Sequence, residues 1–333
     1  MARFDAEQTL PLSLYGQVTA IRVSDPDRSI RAAQHRVRRA SLALEGKLNI
    51  VAADHPARGV LAIGRNPMGM ADRRDLLSRL LRVLSSNFVD GVMASMDVLE
   101  DLLVIHDLIR ERGGPAILDQ KLLIVSLNRG GLVGSIWEMD DPMTGPSPQT
   151  CADWKLDGAK ILLRLCRDDA GSLKTMVAAA AAITQANALS LPTFVEALPV
   201  VKTEKGFQIQ KSSEPLALAA SIASALGDSS RHLWLKLPYC EEYQVVARAT
   251  SLPILILGGE SAGAPASFLN QLAAAMAAAP NVRGAMAGRN VLYPGNEDPL
   301  AVAEAIGAIV HKDRIAAEAP EVSAPQRTAG ARH

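Results

Sequence analysis

Short apolar runs recur along the chain at residues 48–53, 88–94, 121–127, 158–163, 191–197, 232–237, 252–257 and 282–287. Behind each comes a longer segment with helical periodicity, and turn residues separate the two. A short apolar run bounded by turn signals predicts a buried strand, and a period of 3.6 after it predicts a helix laid on the sheet. Eight such units are the content of a closed parallel barrel. Most runs start about 30 to 40 residues apart, which leaves room for a strand, a helix and two loops. The shortest interval, from 232 to 252, still admits a helix, because Tyr243, Val246 and Ala247 fall at helical spacing. A doubly wound open sheet normally carries a GxGxxG turn after its first strand, whereas here the first run leads into Asp54-His55-Pro56. The pattern predicts an α/β protein, a (β/α)8 TIM barrel over residues 48–313.

Two segments lie outside the repeating units. Residues 1–47 form an N-terminal extension whose Arg-rich stretch, 22–39, places Ile30, Ala33 and Val37 at helical spacing, with Ala40 just beyond it. That spacing predicts a helix packed on the bottom of the barrel or on a neighbouring subunit. Its arginines read as a solvated face in preference to a nucleic-acid contact. Residues 314–333 are rich in Ala and Pro and poor in bulky apolar side chains, so a loose tail is expected there.

Composition narrows the partners. The 333 residues would suit either one large barrel or two ordinary domains, so the pattern, and not the length, decides. Hydrophobic residues at 48% exclude a globally disordered chain. Lys plus Arg and Asp plus Glu both number 35, and the resulting zero net charge removes the basic footprint of a nucleic-acid binder. A small-molecule partner is expected, with neither nucleic acid nor membrane. The first ten residues hold no apolar signal core, and the apolar stretch 177–183 is Ala-rich and too short to span a bilayer, which predicts a soluble, cytoplasmic protein. Cys151, Cys166 and Cys240 show no CxxC spacing, and the six histidines show no HxH or HExxH spacing. Neither a disulfide framework nor a metal site is expected. The Ala-rich stretches 178–188 and 273–279 allow close helix packing within or between subunits, and a homo-oligomer is expected.

In a barrel of this kind, chemistry gathers where strands end. Lys236, in the sixth run, stands among Leu and Trp, with Pro238 marking the strand's end. Burying its charge unpaired would be costly, so it must find a carboxylate, lose its proton or snorkel to solvent. A neutral buried amine is the nucleophile that forms a Schiff base. Lys160, in the fourth run, repeats the pattern, and alternate strands feed one interior layer, so the two lysines can meet and depress each other's pKa. Its alternative is a structural ion pair with Asp157. Glu196, in the fifth run, is then a counter-ion or a general acid/base. Asp54, after the first run, is a second carboxylate or a turn residue. His232 shares a strand face with Lys236 and reads first as a wall residue. Gly258, Gly259 and Ser261 follow the seventh run, and Gly288 and Arg289 follow the eighth, where barrels commonly hold phosphate.

Taken together, the segments NIVAADHPARG, DGAKILLRL, LPTFVEALPV, HLWLKLPYC, LPILILGGES and GAMAGRNVLYPGNEDPLAVAEAI resemble the class I, Schiff-base (β/α)8 aldolases. The branch is that of the deoxyribose-phosphate, tagatose-bisphosphate and archaeal-type fructose-bisphosphate enzymes. The resemblance implies a lyase that needs no cofactor and acts on a phosphorylated sugar. It implies Lys236 as the Schiff-base residue, Glu196 as proton shuttle, Lys160 and Asp54 as supporting residues, and the two glycine turns as phosphate loops. The stretch 128–145 departs from those members and looks like a subgroup associated with myo-inositol breakdown. There the expected substrate is 6-phospho-5-dehydro-2-deoxygluconate, cleaved to dihydroxyacetone phosphate and malonate semialdehyde. A cofactor-free sugar-phosphate isomerase or epimerase using Glu196 as base, and a barrel that binds a sugar phosphate without turnover, remain as alternatives.

Overall fold

The computed structural model describes residues 4–129, 131–204, 206–259 and 265–312. Nine strands lie among them: β1 (Leu48–Ala52), β2 (Gly91–Ala94), β3 (Leu122–Ser126), β4 (Gly158–Leu165), β5 (Thr193–Thr203), β6 (Gly206–Ile209), β7 (Leu233–Pro238), β8 (Ile254–Leu257) and β9 (Val282–Ala287). All but β6 are parallel, in the order β4-β3-β2-β1-β9-β8-β7-β5, and a β4–β5 ladder closes the ring. The protein is a (β/α)8 barrel, as the run spacing predicts. The weakest predicted unit holds too: Tyr243–Arg248 is helical, with Tyr243, Val246 and Ala247 buried. No helix among the described residues is long and apolar enough to cross a membrane.

Strand alternation divides the core into two. Leu48, Ile50 and Ala52 of β1 join Met93, Leu122, Ile124, Phe194, Leu255 and Met286 in the barrel's interior. Val51 and Ala53 join the larger cluster between the strands and the surrounding helices. Side chains on one strand point alternately to opposite faces, so the run 48–53 can be apolar throughout and still serve both clusters. The interior is therefore packed below and leaves polar residues for the mouth.

Three expectations are corrected. The apolar run 191–197 ends before Pro199, yet β5 continues to Thr203 and turns back as β6, with Val200 opposite Ile209. Pro199 is tolerated because its register partner, Leu165, is the last residue of β4, so little of that ladder remains to be broken. The second correction concerns the extension. In place of one helix across 22–39, the chain ends one helix, Leu12–Ser24, and begins another, Arg28–His35, with Pro26 between them. The second packs on the helix Met96–Glu111, on the barrel's flank.

The arginines after that helix are not a solvated face. Arg36 is fully buried and pairs at 2.5 Å with Asp157, immediately before β4, while also donating to the carbonyls of Lys121 and Lys155. Arg38 takes the other oxygen of Asp157. Arg39 pairs with Asp90, immediately before β2, and Asp90 also meets His311 at 2.9 Å. The basic stretch clamps the N-terminal ends of the strands. Removing one partner of such a buried pair costs about 3–5 kcal/mol. The expected tail, 314–333, lies outside the described residues.

Candidate active site

Strand register brings the predicted residues together at the C-terminal mouth. Glu196 on β5 is the register partner of Lys236 on β7 and of Leu162 on β4, two residues beyond Lys160. Lys160 and Leu162 alternate onto one face with Arg164, so β4 sends three side chains toward the same space. Asp54 enters from the exit of β1, where the Ala53 amide still donates to the Met93 carbonyl and fixes the chain's direction.

One carboxylate oxygen organises the centre. Glu196 Oε2 accepts from Lys160 Nζ at 2.6 Å and from Lys236 Nζ at 3.0 Å. Lys160 Nζ also donates to Asp54 Oδ2 at 2.9 Å. Lys160 is 1% and Lys236 4% exposed, so these hydrogen bonds replace the water that both ammonium groups have lost. Burial pushes Lys236 below its ordinary pKa, and the Lys160 charge adds to the push, against the pull of Glu196 and Asp54. Burial would raise both carboxyl groups, but the two lysines outweigh it. Glu196 is held at about 2, and Asp54 lies well below the usual carboxylate range. The lysines share a nearby anion and oppose each other, which is the arrangement that readies an amine for attack on a carbonyl.

The four residues line a cavity of about 320 Å³. Gly258, Gly259, Gly288 and Arg289 border the same cavity. Gly259 has φ +66°, a left-handed turn that favours glycine. A Cβ on Gly288 would stand 2.5 Å from the Ala52 carbonyl oxygen, so only glycine fits without moving β1. Asn290, buried, donates to the Gly258 carbonyl and ties the two turns together. Ser261 lies outside the described residues. His232 does not line the cavity. It stands before β7, with its carbonyl accepting from the Thr193 amide, and four residues of strand carry it about 13 Å from Lys236 toward the bottom.

Sequence reasoning missed four polar residues of the wall: His55, Arg58, Glu138 and Arg164. Arg164 Nη1 pairs with Glu138 Oε1 at 2.6 Å, and Arg58 Nη2 pairs with Asp141 Oδ2 at 3.2 Å. Both acids come from the loop between β3 and the helix Pro148–Asp153, so these pairs fasten that loop to the mouth. The alternation from Lys160 would have found Arg164.

Among curated proteins no relative matches the chain. The crystal structure of Cgl0159 from Corynebacterium glutamicum superposes with a TM-score of 0.85 at 35% identity, covering 91% of this chain and 99% of that one. An archaeal fructose 1,6-bisphosphate aldolase matches with a TM-score of 0.58 at 22% identity, over 85% of this chain and 99% of that one. The fructose-bisphosphate aldolase of Slackia heliotrinireducens gives 0.59 at 16% identity, over 94% and 92%. At those identities the two aldolases share the barrel fold with this chain. The Cgl0159-like family model matches residues 46–310, nearly the whole barrel, and the chain belongs to that family.

Proposed function

We propose that this protein is a class I aldolase, a carbon–carbon lyase that reversibly cleaves a ketose phosphate through a Schiff base on Lys236. The observation that carries the reading is the buried Lys236 ammonium bonded to the same Glu196 oxygen as a second buried lysine, at the mouth of a parallel barrel. In the reactive state the Lys236 amine is neutral. Its lone pair attacks the keto carbon, and loss of water leaves an iminium. Glu196, directly or through a water, takes the proton of the hydroxyl two carbons from the iminium carbon. The electrons of that O–H bond form the aldehyde, and the C–C bond electrons move into the iminium to give an enamine. The enamine is then protonated at carbon and the imine hydrolysed. Asp54 and Lys160 keep the charges of the centre balanced. Gly258, Gly259, Gly288 and Arg289, together with Ser261, hold the phosphate and so set the reacting atoms in register.

The substrate we put first is 6-phospho-5-dehydro-2-deoxygluconate, with dihydroxyacetone phosphate and malonate semialdehyde as products. Two observations support it. The loop 128–145 shapes one wall of the cavity through Glu138, and Arg58 and Arg164, paired there with Asp141 and Glu138, offer guanidinium groups that a substrate carboxylate could engage by exchanging with those acids while the phosphate takes Arg289. Dihydroxyacetone phosphate release, read by coupled NADH oxidation, tests the reading. Turnover is expected with the wild type and not with Lys236→Met. Dihydroxyacetone phosphate release that survives Lys236→Met would contradict it.

A further inference from the structure

The steps above give His55 no task, yet its placement is specific. It follows Asp54 at the exit of β1, and its side chain, 20% exposed, borders the cavity. Its Nδ1 is buried without a hydrogen-bond partner among the described residues, and Asp54 Oδ1 lies 4.0 Å away. On the other side, the ring's Cε1 would stand 2.6 Å from a Cβ placed on Gly288. The imidazole is thus wedged between Asp54 and the Gly288–Arg289 turn. The charged groups that act on it are Asp54 beside it, Arg289 after β9, Lys236 on β7 and Glu196 on β5.

Substrate dimensions give this position meaning. In a ketose phosphate of the proposed kind, only one methylene and one ester oxygen separate the carbonyl carbon from phosphorus. A molecule with that carbon on Lys236 and its phosphate at the turn must span the short part of the cavity that Asp54, His55 and Gly288 also border.

We propose that His55 is a further catalytic residue, the acid that protonates the departing hydroxyl of the Lys236 carbinolamine and the base that activates water when the imine is hydrolysed. This rests on the aldolase reading. In the forward step the imidazolium gives its proton to the carbinolamine oxygen, the C–O bond breaks, water leaves, and the nitrogen lone pair forms the iminium. His55 is left neutral. In hydrolysis it takes a proton from the attacking water, and the cycle returns it. In the free protein, burial together with the Arg289 and Lys236 charges holds His55 down at about 4, against the pull of Asp54 and Glu196. A phosphate dianion at the turn offsets Arg289, so the bound substrate itself favours loading the imidazole with a proton from solvent.

The test is rapid-quench borohydride trapping of the dihydroxyacetone phosphate imine in the wild type, His55→Gln and His55→Asn, with phosphate affinity measured by calorimetry. Both variants are expected to form the Lys236 adduct about 100-fold more slowly at saturating ligand. Phosphate affinity should stay within about threefold of the wild type, as general acid–base catalysis acts on the chemical step. The wild-type trapping rate should fall with rising pH along a limb absent from both variants. Two substitutions are used so that the comparison stands if one variant fails to fold. Variant rates close to wild type, or a defect abolished by saturating ligand, would overturn this assignment and leave the aldolase standing. No adduct in the wild type would overturn both.

Discussion

Replacing Lys160 with methionine should raise the pKa of Lys236 and slow imine formation at neutral pH without abolishing it. The two Nζ atoms lie 2.6 Å and 3.0 Å from one carboxylate oxygen, so they are at most 5.6 Å apart. Two unit charges at that separation repel by about 3 kcal/mol at an effective dielectric constant of about 20. Divided by 1.36 kcal/mol per unit, this is about 2 pKa units. Removing the Lys160 cation stabilises the ammonium form of Lys236, and Asp54, freed from its partner, acts in the same direction. At neutral pH the population of free amine should therefore drop about 100-fold and recover as the pH is raised. The assay is the rate of borohydride-trapped adduct with dihydroxyacetone phosphate, followed from neutral to alkaline pH. The wild-type limb for Lys236 deprotonation should move up by about 2 units in the variant. A limb that stays in place or moves down would refute the argument that the lysines tune each other.

Glu196→Gln should leave a pH signature in stability as well as removing turnover. Glu196 is held at about 2 against an ordinary 4.5, so its ionised form stabilises the fold above pH 4.5, and that contribution fades as the pH falls toward 2. The thermal midpoints of wild type and variant should converge over that window, and a constant gap would contradict it. Gly288→Ala should weaken phosphate binding and cost about 1–3 kcal/mol of stability, because the new methyl meets the Ala52 carbonyl and the His55 ring. Titration with inorganic phosphate and thermal melting would show both effects. Arg36→Ala should cost about 1–3 kcal/mol, because Asp157 loses its buried partner but keeps Arg38 on its other oxygen, yet leave kcat unchanged, because the clamp sits at the end of the barrel opposite the mouth.

The barrel was legible because each strand is an apolar run with a helix behind it. Lys236, Lys160 and Glu196 were legible for the same reason: a charge inside such a run stands out against its neighbours. Their meeting on one oxygen was not legible, since it depends on the stagger that pairs Glu196 with Lys236 in register. His55 and Arg58 sit beyond the end of β1, where polar residues are ordinary and no period marks them. Glu138 belongs to a loop whose path is set by its partners, above all Arg164. The arginines of the extension were misread because a basic stripe in sequence does not reveal that the aspartates before β2 and β4 await it.

The aldolase reading stands or falls on a covalent bond at one nitrogen, Lys236 Nζ. Dihydroxyacetone phosphate followed by borohydride, with the adduct located by peptide mass spectrometry, tests it most directly. One reduced adduct is expected on the peptide carrying Lys236, none on the peptide carrying Lys160, and none at all in Lys236→Met. A folded, phosphate-binding protein that acquires no adduct, or acquires it on Lys160, would contradict it.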